Sequence, residues 1–155
     1  MNNKEEIIKV IGLPLGAGFN WSVGVLMEKF IKSLGDKKLL GAKCKKCGYV
    51  VAPPRTRCIR CNAKLDEDCL VELSGKGVLL GRTEAKVELD GKCNFVDLEE
   101  ARVIGAIKLD DADSTLFMPI QAADAGELEI GTSVCVEWAA ATKGEIADIK
   151  CFKPV

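Results

Sequence analysis

Two cysteine pairs constrain this chain more than any other feature. Cys44-Lys45-Lys46-Cys47-Gly48 is followed, after a short insert, by Cys58-Ile59-Arg60-Cys61. Each C-x2-C pair offers two sulfurs from one tight turn, and Gly48 can take the positive φ that such a turn needs. Four thiolates separated by a hairpin-sized insert suit one tetrahedral ion better than two disulfides. Pro53-Pro54 stiffens the insert. The stretch 37–64 has too little apolar material to fold alone, and a bound metal contributes on the order of 10–16 kcal/mol to ordering such a segment.

The expected ion is one structural zinc held by Cys44, Cys47, Cys58 and Cys61. Rubredoxin-like iron sites use similar spacing, which makes iron the alternative, and Asn62 stands where a glycine is more usual. With four protein thiolates as ligands, no position is left for water or substrate. The chain has no histidine. That removes the commonest general base and every Cys-His or Ser-His pair. Among 23 acidic residues no spacing stands out from a solvated surface. A binding or assembly protein, inactive by itself, is expected rather than a self-sufficient enzyme.

At 155 residues the chain is one domain or two small ones, and 48% hydrophobic and 29% charged residues are ordinary for a globular protein. The cysteines outside the two pairs (Cys69, Cys93, Cys135, Cys151) lie singly in apolar surroundings and are expected as buried free thiols. No secretory leader and no run of 18 apolar residues is evident, so a reducing, cytoplasmic setting and no membrane partner are expected. Net charge is −1, unevenly spread. Residues 37–64 hold nine basic and no acidic residues, leaving 13 basic and 23 acidic elsewhere, a formal −10. Compensation of the sulfurs explains two or three of the nine. A basic lobe on an acidic body implies a polyanionic ligand or an acidic partner surface.

Along the chain, 1–19 reads as an extended arm. A helix follows over 20–34, capped by Asn20 or Ser22, with Val23, Leu26, Met27, Phe30, Ile31 and Leu34 on one stripe and Gly35 as terminator. Two roles are open to it: packing on its own chain, or docking on another protein. Short strands are expected at 39–43 and 49–52. From Cys69 onward the pattern is all-β: a long first strand over 70–80 bent at Gly75-Lys76-Gly77, a hairpin over 86–95 around Asp90-Gly91, then strands over 102–109, 115–120, 132–138 and 145–152. Five principal strands with a bent first one suit a closed barrel of the OB type.

These residues combine into a composite signature: Asn20-Trp21-Ser22-x-Gly24, Gly41-x-Lys43-Cys44-x-x-Cys47-Gly48, Pro53-Pro54-Arg55-x-x-Cys58-x-x-Cys61, Leu73-Ser74-Gly75-Lys76-Gly77 and Glu127-Leu128-x-Ile130-Gly131. The chain resembles the acyl-CoA-associated family in which a rubredoxin-like zinc ribbon is fused to an OB-fold. The resemblance covers roughly residues 18–153. It implies a mainly β protein with an N-terminal arm and docking helix (1–36), a zinc ribbon (37–68) and a five-stranded OB-fold barrel (69–155). It also implies a noncatalytic subunit of a thiolase-type complex, whose thiolase-like partner supplies the catalytic groups for 3-oxoacyl-CoA chemistry. Carried onto this sequence, the helix residues Trp21, Leu26, Met27 and Phe30 are candidates for partner docking. Lys45, Lys46, Arg55 and Arg57 are candidates for the phosphates of coenzyme A or an acyl-CoA. The alternative is a single-stranded nucleic-acid binder; against it stand an acidic barrel and few aromatic platforms, namely Phe95, Phe117, Trp138 and Phe152, several expected to face the core.

Overall fold

The computed structural model describes residues 22–90, 92 and 94–155. Helix α1 (Val25–Gly35) leads into β1 (Leu39–Lys43) and β2 (Val50–Val51), and then β3 (Leu70–Leu73). The barrel strands follow: β4 (Lys76–Leu89), β5 (Phe95–Leu109), β6 (Thr115–Pro119), β7 (Ser133–Trp138) and β8 (Ile149–Pro154). Two antiparallel sheets result, ordered β2-β1-β3 and β6-β5-β4-β7-β8. A parallel bridge between Ile120 and Phe152, with the Gln121 amide donating to the Phe152 carbonyl at 2.7 Å, joins the last two edges. Joining them removes the open edges of the five-stranded sheet, and the expected OB-type barrel is what the chain forms.

Three elements depart from the sequence reading. The single strand expected over 70–80 is two strands in different sheets. Leu70–Leu73 pairs with β1, setting Leu73 opposite Leu39, and both are buried. Gly75, at φ +71, then turns the chain into β4. The hairpin expected over 86–95 and the strand expected over 102–109 are one long hairpin of 14 and 15 residues. The polar run 97–101 belongs to β5, but only Asp97 has a cross-strand partner; the register steps from Ala85↔Arg102 to Val87↔Asp97, and residues 98–101 form a bulge. The helix begins at Val25 behind Gly24; the Ser22 hydroxyl accepts from the Gly24 amide at 3.3 Å instead of capping the first turn. Asn20, Trp21, the arm 1–19, Gly91 and Cys93 lie outside the described residues.

The helix is spent on its own fold. Leu26, Phe30 and Leu34, four residues apart, are all buried. Leu26 packs in a cluster with Ala42, Val51, Leu65 and the cysteine ligands Cys44 and Cys58. Phe30 and Leu34 pack in the main core with Leu39, Ala52 and the barrel interior. One stripe therefore ties two cores together. The docking role drawn for Leu26 and Phe30 gives way to packing, since an i, i+4, i+8 stripe buried intramolecularly has no surface to offer; Met27 is half-buried.

On the barrel side the helix end meets a loop built around Asp148, the one charged side chain buried among the described residues. Its carboxylate accepts from the Lys143, Gly144 and Glu145 amides at 2.7–3.1 Å. Gly144 then packs on Gly35, and the Thr142 hydroxyl donates to the Gly35 carbonyl at 2.7 Å. The loop joining β5 to β6 fixes the ribbon in the same manner. The Val50 amide donates to the Asp113 carboxylate, the Asp113 amide to the Val50 carbonyl, and the Ala52 amide to the Ser114 hydroxyl.

Two predictions follow from this packing. Phe30→Ala removes a buried ring, and denaturant unfolding of the isolated chain should show a loss of about 3–5 kcal/mol. Burial of Asp148 opposes its charge, but the amides of Glu145, Lys143 and Gly144 outweigh that and hold its pKa below the ordinary value of 3.8. A carboxyl with a lowered folded-state pKa stabilises above its unfolded value, and that stability is lost as pH falls through the folded one. Asp148→Asn should therefore lower Tm by several degrees at pH 7, and the deficit should shrink as pH falls from about 5 to 2. A constant deficit across that window would show that shape, not charge, holds the loop.

Candidate metal centre and adjoining clefts

The two C-x2-C pairs fold into near-identical knuckles. In the first, the Gly48 amide donates to the Cys44 carbonyl at 2.8 Å and the Cys44 amide to the Tyr49 carbonyl at 2.8 Å. In the second, Asn62 donates to Cys58 and Cys58 to Ala63, both at 2.9 Å. The residue after each second cysteine lies in the left-handed region, Gly48 at φ +75 and Asn62 at φ +56. Asparagine is among the few residues that visit this region routinely, so Asn62 takes the place the more usual glycine would have. The Arg57 guanidinium donates to the Asn62 carbonyl at 3.1 Å and holds the second knuckle.

Facing each other, the knuckles bring Cys44, Cys47, Cys58 and Cys61 together with all four sulfurs within 4.8 Å of one another. The cross-knuckle contacts Cys44–Cys61 and Cys47–Cys58 are 3.6 Å. A tetrahedral ion with Zn–S bonds of about 2.3 Å places its sulfurs roughly 3.8 Å apart, so the cage has the right size. Cys44 and Cys58 are buried and Cys47 and Cys61 half-buried. Backbone amides aim at the sulfurs: those of Cys47 and Lys46 bring the Cys44 pKa down to about 6. Cys47 receives the Tyr49 amide, yet burial and the sulfurs of Cys61, Cys58 and Cys44 push it up to about 12. Sulfurs this close share protons unless a cation neutralises them. The set is a closed site for one structural zinc.

Cys69 is a buried free thiol donating to Asp66 at 3.3 Å, while Cys135 and Cys151 are free and half-buried.

The residues drawn from the basic lobe do not converge on one point. Lys45 meets Asp66 at 3.6 Å and Asp68 at 3.7 Å, beside a cleft of about 300 Å³ next to Cys44. Burial opposes its charge, but these carboxylates raise its pKa. Lys38 pairs with Glu72, and Arg57 is engaged with Asn62. Lys46 is exposed and has no ion pair among the described residues. Arg55 lines a second cleft, of about 320 Å³, between the ribbon and the barrel, with Tyr49, Pro53, Ile59, Ser114 and Thr115. The acidic turn 66–68 thus neutralises part of a lobe that reads as purely basic along the chain. Of the four aromatics named from the sequence, Phe117 and Phe95 are 73% and 76% exposed, whereas Phe152 is buried, as expected of several of them, and Trp138 is half-buried. No alternation marked Phe117, because Thr115-Leu116-Phe117-Met118-Pro119 is apolar on both faces.

Residues 32–66 match the family described as the ChsH2 rubredoxin-like zinc ribbon domain. The match spans the two knuckles and the strands beside them. Two solved structures share the fold of nearly the whole chain. One is a DUF35-family protein of unknown function from Sulfolobus solfataricus, 20% identical, TM-score 0.60, covering 85% of this chain and 87% of that one. The other is described as an Ltp2–ChsH2(DUF35) aldolase, 18% identical, TM-score 0.61, covering 87% of this chain and 98% of that one. No curated protein matches the sequence. Among the described residues no helix is long and apolar enough to cross a membrane.

Cys58→Ser leaves three thiolates and an incomplete cage. We expect purified protein to hold about one zinc per chain and the variant to hold none, by metal analysis. Because Cys44 and Cys58 pack against Leu26 and Val51, zinc loss should also expose β1–β2 amides to hydrogen exchange while the barrel amides stay protected longer.

Proposed function

We propose that this chain is a noncatalytic zinc-ribbon and OB-fold subunit of a thiolase-type acyltransferase complex. In this reading it bridges subunits and helps to hold coenzyme A during thiolysis or condensation of a 3-oxoacyl-CoA. The observation that carries the reading is a closed four-sulfur site on a chain without histidine. Such a site offers no open coordination position, and no imidazole is present to activate a nucleophile. Among the described residues every buried side-chain nitrogen and oxygen has a hydrogen-bond partner, so no orphaned polar group marks a hidden reaction centre. The catalytic groups would come from a thiolase-like partner. The domain division at residues 36 and 68 is part of the same proposal, although β3, beyond residue 68, pairs into the ribbon sheet.

Of the four basic residues considered for coenzyme A, Arg55 and Lys46 are the better candidates, because Lys45 and Arg57 are already engaged. Arg55 faces the ribbon–barrel cleft, which is large enough for part of an extended ligand. A second reading, in which the partner is an aldolase, is favoured by the similarity in fold to the Ltp2–ChsH2(DUF35) aldolase. The products separate the two: a thiolase uses coenzyme A as acyl acceptor, whereas an aldolase releases a free carbonyl compound.

The chain alone should not turn over a 3-oxoacyl-CoA, and activity should appear with the catalytic partner; turnover by the purified chain would sink the subunit reading. In the assembled complex Arg55→Ala should raise KM for coenzyme A about tenfold, the equivalent of one charge-assisted contact. Zinc content should not change, since Arg55 is not a ligand. An unaltered KM in both Arg55→Ala and Lys46→Ala would assign the lobe to an acidic protein surface instead.

A further inference from the structure

The barrel has one face whose charge opposes that of its body. On segments 76–83 of β4, 102–109 of β5 and 115–119 of β6 the outward positions carry Lys76, Arg102 and Lys108 and no acidic residue, while Arg82, opposite the inward Gly105, lies on the other side. Of Lys76, Arg102 and Lys108 only Arg102 has an ion pair among the described residues, to Glu88 at 3.4 Å. On β6, the outer strand of this face, stands the exposed Phe117. The register sets it opposite Ala106, which lies opposite Gly81 on the next strand. A large ring beside two small residues leaves a step about two strand spacings wide, roughly 10 Å. Gly81, Thr83, Ile104 and Ala106 form its floor, in a cleft of about 260 Å³. A Cβ on Gly81 would meet only the Ala106 methyl, at 3.9 Å, so the step is open.

β5 and β6 are the second and third strands of the barrel, the face on which OB-folds take oligonucleotides and oligosaccharides. The step also continues into the ribbon–barrel cleft. Thr115, two residues from Phe117 and so on the same side of β6, lines that cleft together with Arg55. Lys108 is the cross-strand neighbour of Thr115. One surface therefore runs from the Arg55 guanidinium past Lys108 to an exposed aromatic wall.

We infer that the step beside Phe117 is a stacking site for the nucleobase of an anionic nucleotide, whose phosphates lie toward Lys108 and Arg55. The inference rests on the coenzyme A reading and deepens it: the adenine would lie against Phe117 and the pantetheine arm would leave along the ribbon–barrel cleft. A flat ring fits because the floor offers apolar carbon and almost no hydrogen-bonding partner, so recognition is by stacking and charge. A base in single-stranded nucleic acid has the same chemistry, and the probes must separate the two sources.

The test is calorimetric titration of the zinc-loaded full chain with coenzyme A, adenosine 3′,5′-bisphosphate and a short oligodeoxyadenylate. The variants are Phe117→Ala, Phe117→Tyr, Gly81→Val (which fills the step) and Arg55→Ala, each checked for zinc content and Tm. Coenzyme A and the bisphosphate should bind, and Phe117→Ala and Gly81→Val should each weaken both about fivefold or more. Phe117→Tyr, which keeps the ring, should bind as the parent does. If Arg55→Ala weakens coenzyme A while both step variants bind it normally, the stacking site is wrong and the coenzyme A reading survives. If only the oligonucleotide binds, and depends on Phe117, the stacking site stands and the coenzyme A reading falls. Absence of binding by all three probes at millimolar concentration overturns both.

Discussion

Four sulfurs held within 4.8 Å of one another are the constraint on which the rest of this architecture is built. Such a cluster is unfavourable without a cation. The opposed displacements of Cys44 and Cys47, to about 6 and about 12, express the reluctance of adjacent sulfurs to ionise together. A divalent ion removes that conflict and converts two loose turns into a rigid corner. Amides of residues 46, 47, 60 and 61 point at Cys44 and Cys58 and lower the cost of their negative charge. The short strands β1 and β2 emerge from this corner, and β3 and the β5–β6 loop pair with and clamp them.

From that corner the structure becomes one connected body through a single helical stripe. Leu26 reaches the ribbon cluster, while Phe30 and Leu34 reach the barrel core. A ribbon that small has little apolar surface of its own, so a helix shared with the barrel is an economical way to bury it. The same packing withdraws Leu26, Phe30 and Leu34 from the surface. Exposed apolar surface lies at Val23 and Val25 at the start of the helix, on the long β4–β5 hairpin at Leu89 and Phe95, and at Phe117 on the barrel face. On the strands, outward side chains stay available while inward ones build the core.

Much of this was legible along the chain. The C-x2-C pairs named their own ligands, because metal geometry demands two sulfurs per tight turn and little else. The helix showed in its stripe and the barrel in its strand count. The β3–β4 break was not legible, because Leu70–Leu80 is apolar on both sides of Gly75 and an apolar run does not say which sheet it joins. The length of the β4–β5 hairpin was not legible for the opposite reason: its polar run, 97–101, is a bulged, solvent-exposed part of the strand, which composition cannot separate from a loop.

Sequence by itself determined the metal cage, the all-β character beyond Cys69 and the lack of any imidazole chemistry, since each follows from residue type and local spacing. Only tertiary structure decided which charges are free and which faces are open. Lys45 is neutralised by Asp66 and Asp68, more than twenty residues away, and Phe117 stands exposed because its register sets it opposite Ala106 and Gly81. Both depend on pairings between distant segments, and pairing energy is a property of the folded sheet rather than of any stretch of chain.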